Sequence, residues 1–334
     1  MKKMDFSVGM SSLEDYVNQI GNAEIIRAFA GSAPSIQYFA HQSGVNEPTD
    51  LHLLDATLTF KNGKGCSFAD SNAFTLSDRQ LVPAFLKAET AICYNDMLGK
   101  WIGYELKVDA NGEEIPFEKA FVDSYREAAA EALEDRIWNG ITIDGTKYNG
   151  LVDIIEDEGT KVDVAATADA YEQARALILA MPAKSAKKTE IFVSPAKMLA
   201  LKDALLKRDF RLIDLQFTNG TEVDENTIKM PVFGTLVHAV DGLANNNEMY
   251  AVVPAHTVYG YSVDDAHNVV RIVYDDVNDR YIFRIKLTSA VQVARVEEVL
   301  YTETAQAQAA PTEGNGEGGG QSAPTEGNGE GGGQ

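Results

Sequence analysis

Histidine, cysteine and carboxylate side chains are the residues of this chain that could support catalysis or metal binding. Two cysteines occur, and they lack the CxxC spacing of zinc or redox sites, so both are expected to be reduced. The five histidines are scattered, and none forms HExxH or another close ligand pair. We therefore expect no metal site and no cofactor. The residues concerned are Cys66, Cys93, His41, His52, His238, His256 and His267.

Two short segments superficially resemble ligand-binding loops. KNGKGCS, from Lys61 to Ser67, does not satisfy GxxxxGK[ST] and lies between two strand-like runs, so it is typical of a hairpin tip. DDVNDR, from Asp275 to Arg280, lacks the glycine and the final glutamate of a calcium loop and indicates a turn. No GxSxG motif occurs, so we predict no catalytic residue and no enzyme activity.

The composition excludes several classes of protein. The 334 residues are 45% hydrophobic and 24% charged, which is sufficient for a substantial core. No apolar run is long enough for a membrane span or a signal peptide, so we expect a soluble protein made in a cytoplasm, without a membrane partner. The net charge of −21 argues against a main surface that grips nucleic acid phosphates.

The first half of the chain combines an extended beginning with one long helix. Residues 1–50 are predicted to form an arm, polar and loop-like from Gly31 to Asp50, that needs a neighbour to pack against. Strand-like runs flank the turn Asn62-Gly63-Lys64-Gly65 and predict a long hairpin, and helical spacing follows from Leu86 to Met97. The strongest helix signal runs from Pro116 to Gly140, with an apolar stripe that includes Tyr125, Ala128 and Ala132.

The second half is mixed and then almost purely β. Helices are predicted over 168–181 and 195–207, with a strand over 189–193 and two more over 234–240 and 249–253. The alternation of Tyr281, Phe283, Ile285 and Leu287 with charged residues then indicates a strand that is buried on one face. In the tail, PTEGNGEGGGQ occurs at both 311–321 and 324–334 and has no apolar side chain, so we expect a flexible appendage.

The order of these elements resembles that of major capsid proteins of tailed bacteriophages. The run 114–140 looks like that family's spine helix, with an E-x-x-I-W-x-G ending at Glu134, Ile137, Trp138 and Gly140. Further similarities are the step Tyr148-Asn149-Gly150-Leu151, the strand, proline and helix of 191–205, the run 247–260 and the closing strands of 282–293. The resemblance covers about residues 1 to 303 by order and pattern, and encapsulins share the fold.

The resemblance implies an α+β, HK-ninety-seven-like phage capsid fold and a set of domains. These are an N-terminal arm at 1–50, an extended hairpin loop at 51–90, a peripheral domain at 91–150 and 266–303 with a spine helix at 116–139, an axial domain at 151–265 and a tail at 304–334. It also implies contacts between subunits through the hairpin. The candidate contact residues are Phe60, Lys61, Lys64, Phe68 and Arg79.

As function, the resemblance implies self-assembly into hexamers and pentamers of an icosahedral shell that encloses double-stranded DNA. Expected partners are other copies of the chain, a portal, and separate scaffolding or decoration proteins. The sequence does not contain the family's large N-terminal scaffolding segment, which implies that scaffolding, if required, is a separate protein or was removed. Some members link a hairpin lysine covalently to a neighbour's asparagine, for which Lys61 or Lys64 could serve, although a charged and soluble hairpin tip is the simpler interpretation. An encapsulin-like compartment and an enzyme without a recognisable motif are the alternatives.

Overall fold

The computed structural model describes residues 33–57, 73–93, 117–208, 217–218, 221–222, 226–262, 269–275, 277–278 and 280–304. Within them, the α-helices are α1 (Phe117–Asn139), α2 (Leu151–Glu158), α3 (Ala170–Ala180) and α4 (Pro195–Lys207). Short 3-10 helices are Pro34–Tyr38, Asp241–Leu243, Pro254–His256 and Val296–Glu298. Among the described residues, no helix is both long enough and apolar enough to span a membrane.

Strands account for most of the remaining described residues. They are β1 (Ala40–Ser43), β2 (Thr49–Thr57), β3 (Ala73–Leu81), β4 (Ala84–Cys93), β5 (Ile141–Ile143), β6 (Thr146–Tyr148), β7 (Thr160–Val164), β8 (Glu190–Val193), β9 (Phe217–Thr218), β10 (Thr221–Glu222), β11 (Thr227–Lys229), β12 (Leu236–Ala239), β13 (Tyr250–Val252), β14 (Thr257–Tyr261), β15 (Val269–Asp275), β16 (Arg280–Val293) and β17 (Leu300–Thr304).

Two larger sheets organise these strands. One has six strands in the order β11-β12-β8-β13-β17-β7. The other is built around β16, which pairs with β4 along one edge and with β15 and then β14 along the other, while β1 adds to β14. Hairpins β2–β3 and β5–β6 stand apart as two-stranded ribbons. The long strand β16 is therefore the axis of the second sheet.

Strand β8 belongs to two hydrophobic cores at once. Its Phe192 packs with Trp138 of α1, whereas its neighbours Ile191 and Val193 pack with α3 and α4. Side chains alternate between the two faces of a strand, so one short strand contributes to both cores. All three side chains are fully buried.

The closing strand and the second pair of helices confirm the sequence-based predictions. In β16, Phe283, Ile285 and Leu287 are buried while Lys286 is exposed. Helix α4 begins at Pro195, one residue after Ser194, whose side chain accepts a hydrogen bond from the Lys197 backbone N–H. A capping serine followed by proline at the first helical position is a strong start signal.

Helix α1 confirms the predicted long helix, but the two alanines of the predicted apolar stripe are not buried. It has 23 residues, a length of about 35 Å at about 1.5 Å per residue. Ala128 and Ala132 are exposed, and burial is concentrated in the last turns at Leu133, Ile137 and Trp138. Two alanines contribute little to a core, so the large side chains near the end of α1 decide which face is covered.

Two further predictions are wrong. The helix expected from Leu86 to Met97 is strand β4 as far as Cys93, because ten backbone pairings with β16 outweigh the local helical spacing. The polar loop expected from Gly31 to Asp50 contains a 3-10 helix and β1, and its Ile36 and Phe39 lie in the core. Their apolar side chains pack against α1 of the same chain, so their burial does not require a neighbouring subunit.

Candidate functional site

The β2–β3 hairpin carries an exposed apolar pair on one face. Thr49–Thr57 and Ala73–Leu81 pair antiparallel, and this register places Leu54 opposite Leu76. The two leucines are 62% and 65% exposed. Directly opposed side chains on one face of a hairpin touch each other, so the pair forms a small apolar patch. The opposite face holds Leu51 and Leu81, which pack on the body.

A histidine and aspartate pair lies next to the leucines on the same hairpin face. His52 Nδ1 is 2.6 Å from Asp78 Oδ1, across the strands. The hydrogen bond to Asp78 and its negative charge raise the pKa of His52 above its ordinary value, with a smaller contribution from Asp50. The charged pair is therefore complete below the unfolded pKa of about 6.5 and is lost as pH rises through the higher folded value.

We expect an NMR titration of His52 to have its midpoint above the ordinary histidine value. Asp78→Asn should return the midpoint towards that value, and Asp50→Asn should lower it by less, because Asp50 is the weakest of the contributors. A wild-type midpoint at or below the ordinary value would contradict the contact. Titration of the other histidines in the same spectra is the internal control.

The structure describes one of the five candidate contact residues. Phe60, Lys61, Lys64 and Phe68 lie outside the described residues, as does Cys66, so the candidate contacts at the hairpin tip stay a prediction. Arg79 lies at the hairpin base, where its guanidinium donates to both carboxylate oxygens of Glu158 at 2.8 and 2.9 Å. It also donates to Gln292 Oε1 at 3.3 Å. Within the chain, Arg79 thus fixes the hairpin to α2 and β16.

Removing the Arg79 anchor should loosen the hairpin more than it destabilises the fold. Both partners are partly exposed, so Arg79→Met is expected to cost about 1 kcal/mol or less in the free energy of unfolding. Hydrogen exchange of the β2–β3 amides should rise more than that of β16. The exchanged pair Arg79→Glu with Glu158→Arg should restore protection; equal exchange in wild type and Arg79→Met would contradict the anchoring role.

A buried set of hydrogen bonds joins the beginning of the described chain to the end of α1. The buried carboxylate of Glu134 accepts hydrogen bonds from the Ser35 backbone N–H at 3.0 Å, from the Ser35 hydroxyl, and from Trp138 Nε1 at 3.2 Å. Burial raises the pKa of Glu134, and these hydrogen bonds act in the opposite direction. The E-x-x-I-W pattern singled out Glu134 and Trp138, but nothing in the local sequence pointed to Ser35.

The described histidines have structural partners. His238 contacts Glu190 at 2.9 Å and Thr227 at 3.1 Å, and His256 contacts Glu298 at 2.6 Å. No group of three or more histidine, cysteine or acidic residues in the described ranges is placed to hold a metal ion. In this part of the chain, the exposed hairpin face and its anchors are thus the features that most resemble a functional surface.

Comparison with solved structures identifies the architecture. The capsid of a native GTA particle matches with a TM-score of 0.53 and 11% identity over 83% of this chain and 91% of that chain. The procapsid of satellite phage P4 with its size determination protein matches with a TM-score of 0.55 and 10% identity over 91% and 98%. The chain has the HK-ninety-seven-like capsid fold.

The capsid fold also occurs in a virus-like particle from Pyrococcus furiosus, with a TM-score of 0.50 and 10% identity over 86% of this chain and all of that chain. No protein-family model and no curated protein sequence matches the chain. The α+β capsid fold predicted from the order of elements is confirmed, although identities near 10% leave the function to be argued separately.

Proposed function

We propose that this chain is the major capsid protein of a tailed bacteriophage. Copies would assemble into hexamers and pentamers of an icosahedral shell that encloses double-stranded DNA. The observation that carries the proposal is the capsid fold, which extends over most of this chain and almost all of the P4 procapsid and GTA capsid chains. A similarity that spans whole chains favours a shared role in a shell over a shared substructure.

The exposed face of the β2–β3 hairpin supports assembly through neighbouring copies. Leu54 and Leu76 are both mostly exposed and lie directly opposite each other, so they form a contiguous apolar patch, which favours binding to another surface. The hairpin is held at its base and forms a separate two-stranded ribbon, so the face with Leu54 and Leu76 is suited to lie on an adjacent subunit. Closed shells require such identical contacts to repeat between copies.

The proposed domains retain the sequence-based boundaries, except that the proposed N-terminal arm becomes shorter. The loop at 51–90, the peripheral domain at 91–150 and 266–303, the axial domain at 151–265 and the tail at 304–334 remain as proposed. Residues 33–39 pack into the body, which leaves residues 1–32 as the proposed arm. The role of α1 would be to stiffen a thin wall.

Partners and location follow from the proposed role. The chain would bind itself, together with a portal and separate scaffolding or decoration proteins, and would reside in the virion after assembly in the cytoplasm of a bacterial host. The net charge of −21 supports a chain that encloses DNA without binding its phosphates tightly. The role would be structural and not enzymatic.

An encapsulin-like compartment is the second candidate, favoured by the match to the Pyrococcus virus-like particle. Both candidates predict closed shells, so the contents of the shells distinguish one candidate from the other. A phage head holds DNA that entered through a portal, whereas a compartment holds a cargo protein.

Electron microscopy and light scattering of the purified chain across concentration and salt test the proposal. We expect rings, capsomers or closed shells, with the average mass rising steeply above a threshold concentration. Particles that hold DNA when made with the other head proteins would support the phage role, and particles that hold a cargo protein would support the compartment. A monomer or dimer under every condition would refute both.

A further inference from the structure

Arg136, near the end of α1, is a buried cation whose charge is not balanced by a neighbouring carboxylate. Its side chain is buried, with 2% of the residue exposed. Nη1 donates to the Asn149 carbonyl oxygen at 3.1 Å, and Nε has no hydrogen-bond partner among the residues that the structure describes. Within the same residues, no acidic oxygen lies within 4.0 Å of the guanidinium.

The nearby acidic groups are already engaged. Asp153 accepts a hydrogen bond from Lys147 Nζ at 2.6 Å and another from the Gly150 backbone N–H at 3.2 Å. Glu158 is held by both nitrogens of the Arg79 fork. Burial lowers the pKa of Arg136 to about 10, and at neutral pH the guanidinium is still charged. A buried charge without a charged partner destabilises the folded chain, and the carbonyl dipoles at the helix end offset this cost only in part.

Arg136 lines a cleft at the base of the hairpin. The cleft has a volume of about 220 Å³ and lies between the hairpin end, at Gln80 and Val82, and the β5–β6 ribbon, at Lys147 and Tyr148. Its charged lining residues are Arg136, Lys147 and Glu158, so the wall carries one excess positive charge. Lys147 is already paired with Asp153 and is also attracted by Asp157, which leaves Arg136 as the unmatched group.

We propose that this cleft receives one carboxylate side chain from a second copy of the chain, which Arg136 binds when copies assemble. The inference rests on the proposed function, because it needs copies to meet. A single carboxylate matches the one excess charge, while a phosphate carries more negative charge than this wall offsets. Carboxylates are also abundant, with 50 acidic residues against 29 lysines and arginines. A volume of about 220 Å³ is large enough for one side chain.

Arg136→Met tests the proposal, because methionine keeps much of the length and removes the charge. If Arg136 serves a neighbour, the unassembled variant should unfold at the same temperature as wild type or a higher one, and its threshold concentration for assembly should rise at least tenfold. If Arg136 acts only within its own chain, the melting temperature should fall and the threshold should not rise beyond that loss. The control is Arg208→Met, since the Arg208 guanidinium already has the Asp169 carboxylate as a partner. This variant should leave the threshold concentration for assembly within twofold of wild type.

Cryo-electron microscopy of assembled wild-type particles supplies the second readout. We expect a carboxylate oxygen of a neighbouring copy at hydrogen-bond distance from the Arg136 guanidinium. A cleft that holds only water, a carboxylate of the same chain, or phosphate seen only in DNA-filled particles would overturn the inference. Equal assembly thresholds for wild type and Arg136→Met would overturn this inference but not the proposed function. A wild-type chain whose copies never associate would overturn the proposed function as well.

Discussion

Replacing Leu54 and Leu76 together by aspartate is expected to abolish shell assembly while leaving the folded chain intact. Both side chains are more than half exposed, so the isolated subunit loses little buried area and its melting temperature should change by only a few degrees. In a shell, burying the exposed parts of two leucines against a neighbour would contribute about 2 to 4 kcal/mol per contact. That loss alone corresponds to a weakening of about thirtyfold or more.

Light scattering and electron microscopy at matched concentrations would measure this effect. The control is Leu54→Met with Leu76→Met, which keeps the apolar surface and should assemble within a fewfold of wild type. If the aspartate variant assembles at the wild-type threshold, the hairpin face is not a contact surface. If its melting temperature falls steeply instead, the leucines serve the subunit's own stability.

Alanine at Gly140 should prevent folding, whereas alanine at Gly145 should be tolerated. Both glycines have a left-handed backbone, with φ of +73° and +80°. A Cβ at Gly140 would lie 2.5 Å from the Tyr148 carbonyl oxygen and 2.6 Å from the Gly150 nitrogen, while a Cβ at Gly145 would meet nothing within 4 Å. Backbone atoms cannot yield as a flexible side chain can.

The two variants therefore separate backbone strain from steric overlap. Gly145→Ala bears only the conformational cost of about 1 to 2 kcal/mol, and thermal unfolding should show a modest decrease. Gly140→Ala should lose that amount and several kcal/mol more, and we expect it to be insoluble or to melt far below wild type. Equal melting temperatures for the two variants would show that α1 and the Tyr148–Gly150 step are not packed as described.

Local signals were sufficient where a segment's own residues decide its structure. Ser194 and Pro195 predicted the start of α4, and alternation along β16 predicted its buried face. Gly140 marked the end of α1 because the left-handed turn there favours glycine. The order of such elements was in turn sufficient to predict the capsid fold.

Contacts between distant parts of the chain could not be predicted in the same way. Strand β4 has helical spacing of its own and becomes a strand through pairing with β16, nearly two hundred residues later. Ser35 meets Glu134 at a separation of 99 residues, and Arg79 meets Glu158 at 79. Serine, glutamate and arginine are common at solvated positions, so only the folded arrangement distinguishes a side chain that anchors a contact from a solvated one.

The Arg79–Glu158 contact lies at the base of the hairpin, so a small rotation there displaces the far end of the hairpin by a larger distance. Six paired positions of the hairpin lie beyond Arg79, which at about 3.4 Å per residue extend about 20 Å. A rotation of about 5° at the base would displace the last paired position by about 1.8 Å, nearly half the width of a side-chain contact. If copies assemble through the hairpin face as proposed, the Arg79 hydrogen bonds would help to set the alignment between neighbouring subunits from a point away from the surface that they align.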